Sequence, residues 1–250
     1  MTDISVNQLV GSLRSLRMPG MALALENWVA DPANADRCSL ECVAELVAQQ
    51  RNVAASLRAE RFRKKAVLPA GLVMANWEPS ASRGLAAAKL RHLETLAWLD
   101  RRQNLIITGP TQSGKTHLAS GLTQMAVDRG RSAHYVRVPE LLSVLHDHRE
   151  AKTLTPFLKH LARFDLLVLD DFALERASVK DTYLLRRVVD IRERANGAVI
   201  VISPRMVDEW DGLFADPSAA SGIFGRLLTS AHDVELKAWM RKPGRRATPP

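Results

Sequence analysis

Apolar positions along this chain follow two regimes. In residues 1–66 they recur at helical intervals. Leu9, Leu13 and Leu16 mark a first helix, and Pro19-Gly20 breaks its pattern. Met21 to Val29 reads as a second, ended by Asp31-Pro32. Ser39 is the expected cap of a third, with Glu41 in its first turn where the helix dipole favours an acid. That helix runs through Leu46, Val53 and Leu57. Residues 67–83 hold Pro69, Gly71, Asn76, Pro79 and Ser80 and read as a linker. After it, Leu90, Leu93, Leu96 and Ala97 predict one amphipathic helix. Short apolar runs then alternate with helical stretches: Leu105–Thr108, Ser132–Val136, Leu166–Leu169, Ala198–Ile202 and His232–Leu236. Such alternation predicts βαβ units and an α/β fold with a mostly parallel sheet of five strands.

Composition narrows the class. Of 250 residues 46% are hydrophobic and 25% charged, which excludes a disordered, collagen-like or rod-like chain. The length suits one large domain, or one domain with a small appendage. No apolar run is long enough to span a membrane, and Pro69 interrupts the longest candidate. The first ten residues lack a basic region followed by an apolar one, so the expectation is a cytoplasmic protein. Cys38 and Cys42, one helical turn apart, fit that compartment as reduced residues rather than a redox pair. His146 and His148 flank Asp147, but a spacing of two on a helix turns them to different faces, against a metal site.

Charge is unevenly placed. The net is +8, from 35 basic and 27 acidic side chains. Residues 51–66 carry six basic side chains and one acid, and residues 237–246 carry five and none, a combined +10. The rest of the chain is therefore close to neutral.

The chemistry concentrates in a phosphate-loop pattern, GxxxxGK[ST], formed by Gly109, Pro110, Thr111, Gln112, Ser113, Gly114, Lys115 and Thr116. It lies between an expected strand and a helical run that His117 opens. A glycine-rich turn aims successive backbone N–H groups inward, and a helix N-terminus adds partial positive charge. Lys115 is expected on the β- and γ-phosphates of ATP, and the Thr116 hydroxyl on Mg²⁺. Four apolar residues then lead into Asp170 and Asp171, at the strand edge where open α/β sheets bind ligands. Asp170 is the expected second Mg²⁺ residue, and Asp171 the residue that orients or activates the attacking water. Ser203 ends the fourth strand and is a candidate bridge to the γ-phosphate. Arg226 is a candidate arginine finger, a residue that meets charge developing on a neighbouring subunit's nucleotide.

Larger blocks surround these motifs: LRxLRMPGMALALE (13–26), RGL (83–85), NLIITGPTxxGKTHLA (104–119), LARxDLLVLDDF (161–172), Trp210, and the C-terminal GRLL, AH, ELK and MRK blocks. Together they resemble the IstB-type transposition helper ATPases, AAA+ partners of DDE transposases in insertion sequences. The helicase loader DnaC is the next relative. The resemblance covers roughly residues 8–242. It implies a helical DNA-gripping domain (1–66), a linker (67–83), an AAA+ module (84–242) with little or no lid, and a basic tail (243–250). It further implies ATP-dependent homo-oligomers on duplex DNA that recruit or stimulate a transposase. It makes Arg226 the finger and places Arg241 where it senses nucleotide. Two departures stand out. Asp170-Asp171 replaces the Asp-Glu of many AAA+ enzymes, which implies slow turnover. Pro204 occupies the position of a polar amide.

In that light Arg58, Arg61 and Lys65, on one helix face, together with Arg51, Arg63 and Lys64, are expected to contact the DNA backbone without reading sequence. Two alternatives share the ATPase core: a helicase loader, and a nucleotide-gated DNA scaffold with little hydrolysis.

Overall fold

The computed structural model describes residues 5–238; Arg241, four of the five basic side chains of 237–246 and the tail 243–250 lie outside them. The chain divides into two compact units, Met1–Arg61 and Phe62–Pro250.

In the first unit, α1 (Val6–Ser15) opens on a reciprocal capping box between Ser5 and Gln8. Helix α2 spans Pro19–Ala30. Pro19 therefore starts this helix instead of only breaking the pattern before it. At the first helical position its missing N–H costs nothing and its fixed φ is already helical. No side chain of α2's own caps it. Gln50 of α3 (Ser39–Ala66) takes that role, its Oε1 accepting from Gly20 N at 2.9 Å and Met21 N at 3.2 Å. A Cβ on Gly20 would lie 2.6 Å from Gln50 Cα, so this close approach of α2 to α3 requires glycine. Ser39 is already inside α3. The capping position belongs to Cys38, whose carbonyl accepts from Glu41 N and Cys42 N. Cys38 and Cys42 are free thiols.

In the second unit the segment after α3 makes two short turns, Met74–Asn76 and Ala81–Arg83. The single helix expected over Leu90–Ala97 is two, α4 (Ala87–Glu94) and α5 (Ala97–Asp100). Leu96 separates them in the left-handed region at φ 59° and is itself buried. Burying Leu96, Trp98 and Leu99 together outweighs the cost of one strained residue.

The strands are β1 (Leu105–Thr108), β2 (Ala133–Arg137), β3 (Leu166–Asp170), β4 (Ala198–Ser203) and β5 (His232–Glu235). They form one parallel sheet in the order β2-β3-β4-β1-β5. Side chains alternate between its faces. Leu105, Ile107, Val168 and Ile200 face a core shared with α4, α5 and α6 (Lys115–Asp128). Ile106, Leu167, Leu169 and Val201 face the core of α7 (Val138–Glu150), α8 (Leu154–Leu161), α9 (Val179–Arg194) and α10 (Pro217–Leu228). Helices on both faces explain why the central strands read as unbroken apolar runs.

Two polar side chains set the end of the sheet where its strands begin. Asn104 donates to the carbonyls of Arg226 and Leu227 and accepts from Val199 N. Arg192, buried to 1% exposure, donates to the carbonyls of Leu161, Phe164, Asp165 and Ala198. Its desolvation brings the guanidinium down to about 10. Among the described residues no helix is long and apolar enough to cross a membrane.

Gly20→Ala should destabilise the first unit by about 1–3 kcal/mol through overpacking. Gly11→Ala, where a Cβ meets nothing within 4 Å, should be neutral or stabilise α1 by up to about 1 kcal/mol. Denaturant titration followed by circular dichroism reads both; equal effects would refute the packing argument.

Candidate phosphate-binding site

The loop between β1 and α6 is built from unusual backbone. Gly109, Gln112 and Gly114 have φ of 136°, 65° and 91°. A Cβ on Gly109 would lie 2.0 Å from Leu236 O, and one on Gly114 2.1 Å from Arg83 Nη2. Each glycine is required by what packs outside the loop, quite apart from any ligand. Ser113 N donates to Pro110 O at 3.2 Å, closing the turn. Lys115 is 8% exposed, and its Nζ donates to Gly109 O at 2.7 Å and Pro110 O at 2.8 Å. Burial lowers the Lys115 pKa, while Asp170 and Asp171 oppose the shift. The ammonium is thus folded over its own loop, with the two carboxylates opposing the effect of its burial.

The second half of the site arrives on β3. Asp170 Oδ2 accepts from Thr116 Oγ1 at 2.9 Å and from the Tyr135 hydroxyl, and Oδ1 accepts from Asp171 N at 2.8 Å. Thr116 and Asp170 were expected together from sequence, and their oxygens meet. A hydroxyl beside a carboxylate is a hard oxygen donor pair that suits Mg²⁺. Tyr135 is buried on β2, and desolvation with the Asp170 hydrogen bond pushes its phenol pKa well upward, so it remains a donor. Asp171 turns away in the left-handed region at φ 56°. Its Oδ2 accepts from both Nε and Nη2 of Arg137 at 2.7 Å. That hydrogen bond holds the Arg137 guanidinium above its usual range.

The remaining candidates differ in how near they come to this pair. Thr111 is exposed at the loop's tip. Ser203 pairs with Thr108 across the sheet and is fully buried, its Oγ accepting from Trp210 Nε1 at 3.2 Å and Arg205 N at 3.1 Å. His117 Nε2 lies 2.8 Å from Val73 O. Arg226 is on α10, held by Glu193 at 2.7 Å, Asp190 at 3.0 Å and the Gly222 carbonyl at 2.7 Å. Among the described residues these side-chain partners lie on α9 and α10 and not on the phosphate loop. His146 pairs with Asp181, and His148 stacks on Phe157. Among the described residues no group of three or more His, Cys, Asp or Glu is placed to hold a metal ion.

In the first unit Arg58 and Arg61 line a cleft of about 430 Å³ with Arg14 and Arg17. Sequence reasoning missed the latter two, although their i, i+3 spacing was visible. Arg51 is exposed. In the second unit Lys64 and Lys65 are exposed, and Arg63 pairs with Asp128. Tyr135 and Arg137 were missed as well. Period-two spacing puts them on one face of β2, but only the register Arg137↔Asp170 reveals which acids they meet.

A family model of IstB-like ATP binding proteins matches residues 11–247. The chain belongs to this family. The chain is similar to an insertion-sequence ATP-binding protein of Mycobacterium tuberculosis, 26% identical over 95% of both chains. The IS1162 ATP-binding protein of Pseudomonas fluorescens is 31% identical, over 76% of this chain and 83% of its own. The IS21 ATP-binding protein of Pseudomonas aeruginosa is 25% identical over 93% of this chain and 87% of its own. Among solved structures, the DnaC helicase loader superposes with a TM-score of 0.56 at 17% identity, over 67% of this chain and 98% of that one. AMPPCP-bound DnaA from Aquifex aeolicus superposes with the same score at 20% identity, over 68% and 51%. The fold of the second unit is that of the AAA+ modules, and the family assignment joins it to the phosphate loop described above.

Tyr135→Phe removes one hydrogen bond from the buried Asp170 carboxylate. It should lower the stability of the nucleotide-free chain by about 1–3 kcal/mol in urea titration. An unchanged midpoint would show that the phenol does not support Asp170.

Proposed function

We propose that this chain is an ATP-hydrolysing helper of insertion-sequence transposition. It assembles on duplex DNA in the bacterial cytoplasm, at the nucleoid, and assists a DDE transposase in target selection. The observation that carries the ATP reading is the meeting of Thr116 and Asp170 beside a phosphate loop whose lysine is buried and folded over the loop's own carbonyls. Lys115 and the loop from Gly109 to Thr116, with His117 behind it, bind the triphosphate. Thr116 and Asp170 would hold Mg²⁺, which would supply charge neutralisation at the phosphates. Asp171 orients water. Arg226, whose side-chain partners Glu193, Asp190 and Gly222 lie on α9 and α10, serves the nucleotide of the neighbouring subunit. To do so it exchanges Glu193 and Asp190 for phosphate oxygens. Ser203 bridges toward the γ-phosphate through its remaining donor hydrogen, and Arg241 senses nucleotide.

DNA binding rests on the basic side chains of α3. Arg58 and Arg61 share a concave, arginine-lined cleft, a shape suited to backbone phosphates. Arg51 adds to the charge of the first unit; in the second, exposed Lys64 and Lys65 contact phosphates on their own account, with Arg63 leaving a half-exposed pair with Asp128 that is worth little. The insertion-sequence names of the relatives support a transposase as partner.

One pair of observations favours a second reading, a nucleotide-gated scaffold with little hydrolysis. Asp171 is engaged by Arg137, and the Ser203 hydroxyl is engaged by Trp210. ATP and DNA binding without phosphate release would select it.

Lys115→Ala should abolish ATP binding and ATP-dependent assembly on duplex DNA, read by sedimentation. Normal assembly by this variant would sink the proposal. Arg226→Ala should leave nucleotide binding by the monomer unchanged while hydrolysis falls by about a thousandfold. Equal loss of both would indicate misfolding instead. Arg58→Ala and Arg61→Ala should each reduce the slope of log affinity against log salt by about 1, at every DNA sequence tested.

A further inference from the structure

Behind the phosphate loop lies a buried cation that the functions above leave unused. Arg83, from the RGL block, is 5% exposed. Its Nε and Nη2 both donate to the Ser113 carbonyl, at 3.1 and 3.0 Å, and Nη1 donates to Glu78 O at 3.3 Å. The guanidinium lies 3.6 Å above the Trp77 ring, itself 5% exposed. Trp77 meets the His117 ring edge-on at 5.7 Å, and His117 Nε2 lies 2.8 Å from Val73 O. The segment from Val73 to Gly84 thus wraps the outside of the loop and the start of α6.

Its far end is anchored too. Arg83 O accepts from Lys237 N at 2.9 Å. Gly84, at φ 88°, packs so closely on β5 that a Cβ would lie 2.1 Å from Glu235 O. Gly109 abuts the next carbonyl, that of Leu236. The exit of β5 therefore buttresses both the strap and the first glycine of the loop.

A peptide unit is planar, and in a trans peptide its C=O and N–H point in opposite directions. The Ser113–Gly114 bond is trans. Arg83 pulls the Ser113 carbonyl outward, so the Gly114 N–H is directed away from Arg83 and Trp77. A guanidinium suits this work because its rigid fork places two donors on one acceptor while its face stacks on an aromatic ring. Lysine offers a point charge and no stacking plane.

We propose that Arg83 is a positioning residue of the phosphate loop, clamped between Trp77 and the Ser113 carbonyl so that the Gly114 N–H is presented to the phosphates of a bound nucleotide. This rests on the reading that the loop binds ATP. Burial lowers the Arg83 pKa. A polyanion across the loop offsets that desolvation cost, so the cation stabilises the bound form more than the free one.

The test uses the full chain with Mg²⁺ and the nucleotides ADP and ATP. Arg83→Met should weaken both by about 10- to 100-fold and raise the KM for ATP equally, with kcat at saturation within about twofold. Arg83→Lys should recover part of the loss. A purely structural arginine would instead lower the melting temperature and the active fraction at constant KM. Should Arg83→Met fail to fold, tryptophan emission decides. ADP saturation should change the emission of the wild-type chain, and Trp77→Phe should remove that change. Affinities within about twofold of wild type in folded Arg83 variants, or no ADP response from Trp77, would overturn the role of Arg83 alone. A wild-type chain that binds neither nucleotide overturns the ATP reading, and this inference with it.

Discussion

In a parallel sheet every strand delivers its C-terminal end to the same edge. Here β1 ends at Thr108, β3 at Asp170 and β4, between them, at Ser203. The loop that follows β1 and the acids that end β3 are therefore brought within hydrogen-bonding reach, although 54 residues separate Thr116 from Asp170. Tyr135 and Arg137 reach the same two acids because β2 pairs with β3 in register. Asn104 and Arg192 act at the opposite end. They tie the strand beginnings to carbonyls of neighbouring segments, and the common edge follows from that alignment.

Each charge at the site has a partner within the chain. Lys115 is held by two carbonyls, Asp170 by two hydroxyls and an amide, Asp171 by Arg137, and Arg226 by Glu193 and Asp190. Any ligand that engaged these charges would therefore exchange partners with them. The free energy of binding is a difference between two satisfied arrangements, and small for the contacts made. Arg226, on α10, is held in place in the same way by its two acids.

The site divides by how locally its parts are specified. Gly109 to Thr116 is contiguous, and its function is written in spacing. Asp170 stands at the end of an apolar run, a position readable from periodicity. By contrast, Ser39 and Leu96 differ from their reading at the level of single residues, and Pro19, rightly a break after α1, is also the start of α2. A proline or serine near a helix start fits several cap positions, and the correct one depended on Gln50 and Cys38. Leu96 had the right hydrophobicity and the wrong backbone, because the core decided its conformation.

Order of elements, the alternation that makes a parallel sheet, the loop and its acid, and the location of the excess charge were all determined by the sequence alone. These are local or periodic properties, carried by nearest neighbours in the chain. Tertiary structure alone decided which acid Arg137 neutralises, that Tyr135 supports Asp170, that Ser203 is spent on Trp210, that Arg14 and Arg17 join Arg58 and Arg61, and that Arg83 stands behind Ser113. Apart from Ser203 and Trp210, seven residues apart, each of these is a contact between residues distant in the chain. Such contacts depend on strand register, helix approach and buried volume, which no single segment encodes.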